Sequence, residues 1–345
     1  MTEISDLKGA TTPDGRYAMF ERRGGGNFGL VYRGRDLYLE RDVAVKLIEA
    51  ERATLDSTLT EARIQALCAH PNVVSVYDVR IEPPVPMIVM EYLPGGSAED
   101  RVTEGIALMD ALRWTRNALQ GLAHAHGLGI LHRDLKPGNL LVLANGEAAL
   151  SDFGIAEDTI RGRFATDKHY WPLVAPELLD LRPTSVQSDV WAMGCLLYRL
   201  LTGRWPFLSV DDIRAAKYQP PQRSNPQVTR ALSRVVAGAL EPDLAQRFTS
   251  ARNMLAEVAK CRADCSWVRC DEDGAVEAWT TSIEGAQVAA RVLHAPRGNF
   301  EVEVTIDRGS SPRHARPNQR FSSEALARNR LSTILRNGVE GKALR

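Results

Sequence analysis

Between Arg16 and Glu91 the chain alternates short apolar runs with turn residues; after Gly95-Gly96 it changes to long stretches with apolar positions at helical spacing. That change of period is the strongest constraint on its fold. Tyr17 to Glu21, Leu30 to Gly34, Val43 to Leu47, Val73 to Val79 and Met87 to Glu91 read as strands. Among them only Thr60 to Ala69 reads as a helix, ended by His70-Pro71-Asn72, since proline disfavours helix in the residue before it. The expectation is a small, mostly antiparallel sheet with one helix over 16–91, a hinge over 91–96, and a larger, mainly helical part over 97–260. Helices are expected over 106–128, 186–202, 227–240 and 248–259. Residues 1–15, ending in a Thr-Thr-Pro-Asp-Gly turn, read as an N-terminal arm. The stretch 261–345 alternates again, with strands over Ala275–Thr280, Ala286–His294 and Phe300–Ile306 and a closing helix over Ser322–Arg336. The fold class is therefore α+β: two unequal lobes followed by a small α+β segment.

Charge and composition exclude several classes. The 43 Lys and Arg are balanced by 43 Asp and Glu, so nothing global favours a polyanion or a lipid surface. No run of about 18 apolar residues is present, so no membrane-spanning helix and no membrane partner are expected. The start, Met1 to Ala10, lacks the basic opening and apolar core of a secretory signal. Five cysteines do not make a disulfide framework, and a reducing compartment is expected.

Three groups of residues carry chemistry. Gly24, Gly26 and Gly29 spell G-x-G-x-x-G, with Gly25, Asn27 and Phe28 between them and Val31 beyond. That spacing alone suits a tight hairpin, or a dinucleotide-binding turn that joins a strand to a helix. Strands flank it here on both sides, which favours a glycine flap over ATP phosphates. Glycine backbone can approach phosphate with no Cβ in the way. Next comes Val43-Ala44-Val45-Lys46. Lys46 either snorkels to solvent or is held toward phosphates by Glu61 of the following helix, while Ala44 leaves room for an adenine ring. The third group is the run His132-Arg133-Asp134-Leu135-Lys136-Pro137-Gly138-Asn139, followed by Asp152-Phe153-Gly154 and then Ala175-Pro176-Glu177.

With these motifs in this order, the chain resembles the eukaryotic-like (Hanks-type) serine/threonine protein kinase family in its bacterial form, from about Arg16 to Val258. The resemblance implies a bilobal protein-kinase fold, protein substrates, and ATP with Mg2+ (Mn2+ as an alternative) as cofactors. It implies that Asp134 accepts or orients the proton of the substrate hydroxyl, and that Asn139 and Asp152 hold the metal. Lys46, paired with Glu61, would meet the α- and β-phosphates. Lys136 would meet the γ-phosphate, as is typical of serine/threonine specificity. Met90 matches the gatekeeper, backbone groups of Glu91 and Leu93 would bond the adenine edge, and Val31 and Leu141 would sandwich the ring. His132, Phe153 and Gly154 support the site, and Asp189 would anchor the His-Arg-Asp backbone. Arg247 would pair with Glu177, either as a buried structural pair or as a surface salt bridge worth under ~1 kcal/mol. A pseudokinase and a small-molecule phosphotransferase are the competing readings. Lys46, Asp134, Asn139 and Asp152, which pseudokinases tend to lose, are all present; small-molecule phosphotransferases do not combine the Ala175–Glu177 motif with Lys136 and Asp189.

The chain departs from the family in places. Arg22 and Arg23 precede the glycine loop where an apolar residue is usual, Gln65 stands where the family places an aliphatic residue, and Tyr170 replaces the usual threonine that contacts Asp134 and Lys136. Arg133 is expected to pair with a phosphate on the loop beyond Gly154, with Thr159 and Thr166 as candidate sites ahead of Tyr170. The segment 261–345 matches no family. From Arg308 to Arg345 it has nine basic residues and two acidic ones, Glu324 and Glu340. It is either a solvated tail packed on the kinase or a surface for nucleic acid or an acidic partner. Cys261, Cys265 and Cys270, with His294 or His314, are either reduced thiols or zinc ligands.

Overall fold

The computed structural model describes residues 8–26, 29–48, 55–81, 86–153, 173–309, 312–315 and 318–344, with backbone alone at 24–26, 29, 55–58 and 61. Five antiparallel strands form the first sheet: β1 (Tyr17–Gly26), β2 (Gly29–Asp36), β3 (Arg41–Leu47), β4 (Val76–Arg80) and β5 (Met87–Glu91), in the spatial order β1-β2-β3-β5-β4. Side chains alternate across a strand, and this divides β3 cleanly. Val43, Val45 and Leu47 join Tyr17, Met19, Tyr32, Met87 and Val89 in a cluster on one face. Ala44 and Ile48 belong to a second cluster with Ile88 and Met90, on the face toward helix α1 (Leu55–Leu67). The same alternation puts Lys46 on the second face.

Several boundaries differ from the sequence reading: β1 and β2 run on to Gly26 and Asp36, and others lie around α1 and β4. Helix α1 begins at Leu55 and stops at Leu67 rather than running over 60–69. The apolar run Val73 to Val79 is not one strand, since β4 starts only at Val76. Val73 and Val74 are apolar for another reason. Their stretch lies beside Leu150 of the second lobe, where Val74 N–H donates to the Leu150 carbonyl at 2.8 Å and Leu150 N–H to the Asn72 carbonyl at 2.9 Å.

The second lobe contains α2 (Ala98–Val102), α3 (Leu108–Gly127), the ribbon β6 (Leu140–Val142) with β7 (Ala148–Leu150), α4 (Pro176–Leu179), α5 (Val186–Thr202), α6 (Val210–Arg214), α7 (Pro221–Ser224), α8 (Arg230–Ala239) and α9 (Ala251–Lys260). Helix α5 is apolar on nearly every side, as a central helix must be. It starts at a Ser185–Ser188 capping box and ends at Gly203, whose φ of 70° suits a left-handed cap. Val190, Trp191, Leu196, Leu197 and Leu200 are all buried along it.

Residues 268–339 form a third layer: β8 (Val268–Cys270), β9 (Ala275–Ile283), β10 (Ala286–Ala295), β11 (Asn299–Asp307), β12 (Arg313–His314), β13 (Gln319–Phe321) and α10 (Glu324–Val339). The sheet is antiparallel in the order β12-β11-β10-β9-β8, with β13 beside β11. Val288, Ala290, Val292, Val302 and Val304 are buried, as are Leu331, Ile334 and Leu335 of α10. This segment is therefore folded, not a solvated tail. It joins the helical lobe around Trp267, whose N–H donates to Gln227 Oε1 at 2.9 Å and whose indole donates to the Leu335 carbonyl at 3.1 Å. Over 261–345 the 13 Lys and Arg are nearly balanced by 11 Asp and Glu, and several pair within the segment: Arg320 with Glu301 at 3.4 Å, Arg328 with Glu277 at 2.6 Å. Cys261 and Cys265 are buried, and burial pushes both thiols up. Among the described residues no three or more His, Cys, Asp or Glu are grouped to hold a metal ion.

Candidate active site

The site is built where the two lobes meet, and its centre is the loop between α3 and β6. Asp134 is 1% exposed. Its Oδ2 accepts from Lys136 Nζ at 2.8 Å and from Asn139 Nδ2 at 2.9 Å, and the Asn139 amide also donates to the Asp134 carbonyl at 2.8 Å. The turn Pro137–Asn139 makes this possible, because it returns the chain toward Asp134 within five residues. The carboxylate is thus fixed by two donors before any substrate arrives.

The backbone of this loop is fixed from below. Arg133 has φ 68°, a left-handed conformation that costs a non-glycine residue about 1–2 kcal/mol. Asp189, near the start of α5, offsets that cost by accepting the N–H of His132 at 2.8 Å and of Arg133 at 2.9 Å. It also accepts from His126 Nε2 at 2.9 Å. Burial pushes the Asp189 carboxyl up, but the hydrogen bonds from His126 and from the Arg133 backbone outweigh it, and the net direction is down. His132 is fully buried, and burial lowers its pKa, which keeps the ring neutral. Its Nδ1 accepts the Asp134 N–H at 3.2 Å, so the proton sits on Nε2. The ring packs 4.4 Å from that of Phe153. The Arg133 side chain reaches Thr184 Oγ1 at 3.0 Å. His126 and Thr184 were not singled out from the sequence; His126 stands at the end of α3, and only the packing of α3 on α5 reveals its partner.

On the opposite wall, Lys46 Nζ lies 2.7 Å from Asp152 Oδ1, although Lys46 itself is only 5% exposed. Burial pushes the Asp152 carboxyl up, but Lys46 and then Lys136 outweigh it, so the group is held below its ordinary value and ionised. Asp152 also adopts a left-handed φ of 61°. Its N–H donates to Gln65 Oε1 at 3.1 Å, and Gln65 Nε2 donates to the Val74 carbonyl at 2.9 Å. The Ser151 N–H donates to the Asn139 carbonyl at 2.9 Å, which brings the segments of Asn139 and Asp152 side by side. The Asn139 amide nitrogen is committed to Asp134, so its oxygen is the end a cation would use. An amide oxygen and an ionised carboxylate are hard donors, and they suit a hard divalent ion.

Above this polar floor lies an apolar slot. Met90, Leu93 and Ala149 belong to one cluster, with Ala44 and Leu141 packed against it. Strand register places Ala44 opposite Met90, and Val31 opposite Lys46. The Glu91 N–H is taken by the Ser75 carbonyl at 2.9 Å, so only the carbonyl of Glu91 could meet an adenine edge. At the far end of the hinge, Gly95 N–H donates to the Val142 carbonyl at 3.0 Å. A Cβ on Gly95 would come 2.5 Å from that oxygen, so glycine is required for the hinge to reach β6. Gly24, Gly25, Gly26 and Gly29 close the β1–β2 hairpin, with Gly26 opposite Gly29. Arg22 and Arg23 are exposed on β1, and the Arg23 guanidinium lies 6.0 Å from the Tyr92 ring centroid.

Farther out, Glu177 and Arg247 meet through two bonds of 2.8 and 3.0 Å, both side chains buried. Of the residues marked in the sequence, Asn27, Phe28, Gly154, Thr159, Thr166 and Tyr170 and the side chain of Glu61 lie outside the described residues. The expected Lys46–Glu61 pair therefore belongs to the same group, and the described partner of Lys46 is Asp152.

Residues 17–258 match the family model described as protein kinase domain. Among curated proteins, the chain is 36% identical over 275 residues to serine/threonine-protein kinase PknB of Mycolicibacterium smegmatis, covering 72% of this chain and 44% of that protein. It is 32% identical over 262 residues to serine/threonine-protein kinase PrkC of Bacillus subtilis, covering 71% of this chain and 40% of that one. The chain thus spans less than half the length of these relatives. Among solved structures, Rad53 1-466 in complex with AMP-PNP superposes with a TM-score of 0.61 at 24% identity, over 71% of this chain and 65% of that one, a likeness of fold. With a small sheet lobe followed by a helical lobe, an Asp134 held by Lys136 and Asn139, and a family match across 17–258, the chain belongs to the protein kinase family.

Proposed function

We propose that the chain is an ATP-dependent serine/threonine protein kinase that uses Mg2+, with Mn2+ as an alternative ion. The observation that carries this reading is the paired arrangement of Asp134 with Lys136 and Asn139 on one wall and Lys46 with Asp152 on the other. Phosphoryl transfer needs little covalent help from a protein; it needs positioning and charge neutralisation. Asp134, held by its two donors, receives or orients the proton of the attacking hydroxyl. Lys136 and Lys46 supply fixed positive charge for the phosphate oxygens. Asn139 and Asp152 would hold the divalent ion, which when bound neutralises charge on the phosphate groups. Met90, Leu93, Ala44, Leu141 and Val31 would enclose the adenine, an apolar slot of the kind ligand sites commonly use. Lys136 supports transfer to serine or threonine rather than tyrosine. The proposed partners are protein substrates.

The same proposal includes autophosphorylation of the loop beyond Gly154 at Thr159 or Thr166. It rests on Arg133, a guanidinium beside the catalytic aspartate that suits a phosphate. A cytoplasmic setting is part of the proposal and rests on five free cysteines, all reduced. No helix of the described residues is long and apolar enough to cross a membrane.

The test is incubation with γ-labelled ATP and Mg2+ followed by phosphoamino-acid analysis and site mapping. Phosphoserine or phosphothreonine is expected on the protein itself or on a generic protein substrate, with Thr159 or Thr166 among the sites. Label on neither, or label on tyrosine alone, would overturn the reading.

A further inference from the structure

Gln65 has no role in the proposed chemistry, yet it is 5% exposed and uses both ends of its amide. Oε1 accepts the N–H of Asp152 at 3.1 Å; Nε2 donates to the carbonyl of Val74 at 2.9 Å. Donor and acceptor are both committed, so the amide can take only one orientation. Reversing it would set N–H against N–H and oxygen against oxygen.

Three facts make this contact more than packing. Asp152 is the aspartate proposed to hold the metal, and its φ of 61° is one that non-glycine residues keep only when the surroundings over-determine it. Its side chain is held by Lys46 at 2.7 Å, and Gln65 holds its main chain. Val74, buried completely, sits where the small sheet and its helix meet β7. An aliphatic residue at 65 would leave the Asp152 N–H and the Val74 carbonyl without these partners, and a buried group left unpaired is costly.

We propose that Gln65 is a positioning residue for phosphoryl transfer: it clamps Asp152 in its metal-binding conformation and ties that conformation to the placement of helix α1. The proposal rests on the kinase reading, because it assigns Asp152 to the metal. A helix that shifts carries Gln65 with it, and the aspartate loses its backbone anchor. The small lobe and the metal site then act as one unit.

The consequence is specific. Removing the clamp should loosen the metal site more than it slows transfer once the site is full. In Gln65→Met, which keeps length and volume but neither hydrogen bond, the Mg2+ concentration for half-maximal activity should rise roughly tenfold, the equilibrium equivalent of one hydrogen bond to a positioned group. At saturating Mg2+ the kcat should fall by less than about threefold. Amide hydrogen exchange on the full chain supplies a readout that needs no activity. The peptide ending at Phe153 should exchange faster at Asp152 in Gln65→Met. Gln65→Glu keeps the acceptor toward Asp152 and should retain protection near that of the wild type. The clamp is overturned by unchanged exchange and an unchanged Mg2+ requirement in Gln65→Met, or by Gln65→Glu being as labile as Gln65→Met. A wild type with no transfer activity would defeat the kinase reading alone, and the exchange measurement would still decide whether Gln65 anchors Asp152.

Discussion

Truncating Glu177 is expected to cost about 3–5 kcal/mol, because it strands a guanidinium in the interior. The Arg247 side chain is 0% exposed and that of Glu177 is 5% exposed. Two parallel bonds of 2.8 and 3.0 Å join them, and such a fork fixes geometry as well as pairing charge. Arg247 also donates to the Glu241 carbonyl at 2.7 Å and the Gln187 carbonyl at 2.9 Å, and it lies 5.0 Å from the Trp191 ring centroid. Those contacts would still hold the guanidinium in Glu177→Ala, but none of them neutralises it. The melting temperature should therefore fall on the order of 10 °C, read by scanning calorimetry. A solvent-exposed pair would be worth under ~1 kcal/mol and would move it by only a few degrees. Replacing both partners with methionine removes the charge together with its counter-charge, so Glu177→Met/Arg247→Met should be more stable than Glu177→Ala. A shift of only about 3 °C in Glu177→Ala, with the double variant no better, would refute the argument from burial.

Other outcomes follow from the same structure. Asp189 has a lowered carboxyl pKa, so its contribution is complete above the ordinary value of 3.8 and is lost as pH falls below it; His132, held neutral by burial, begins to oppose folding below its ordinary 6.5. The urea midpoint should therefore be level above neutrality and decline in two stages on acidification, and a midpoint level from pH 7 down to about pH 4 would contradict the His132 assignment. Asp189→Asn should cost about 3 kcal/mol at pH 7, and this gap should narrow below the ordinary carboxylate range. Trp267→Ala removes a side chain 2% exposed that donates to the Leu335 carbonyl and packs against Gly338 of α10, and a loss of about 3–5 kcal/mol beside the joint should expose the chain near Cys261 to limited proteolysis. An unchanged digestion pattern would show that the third layer is held elsewhere.

What the sequence made legible was local. Asp134, Lys136 and Asn139 lie within six residues of one another, and one short turn brings them together, so their spacing nearly dictates their contact. The small sheet was legible because β3 alternates in burial and β5 is a short, uninterrupted apolar run. The rest depended on contacts between distant segments. His126 and Asp189 are 63 positions apart and meet only because α3 packs on α5. Val73 and Val74 mimic a strand because burial against Leu150 demands the same residue types as a sheet does. Strands β8, β12 and β13 have two or three residues each, too few for a period to show. The basic run after Arg308 looked like an unpaired surface because acidic partners of it, Glu277 and Glu301, precede it in the chain. Gln65 looked like a departure from a pattern; its two hydrogen bonds give that departure a role.

In the proposed kinase Asp134 acts on the attacking hydroxyl while Lys46 and Asp152 serve the nucleotide side. Asp134→Asn, compared with wild type for both ATP affinity and phosphoryl transfer, separates the two roles. The substitution keeps the shape of the side chain, so nucleotide affinity should stay within about threefold, while kcat should fall by 10²-fold or more, the usual worth of a positioned general base. Transfer by Asp134→Asn at a rate near that of wild type would contradict the account, whatever its affinity for ATP.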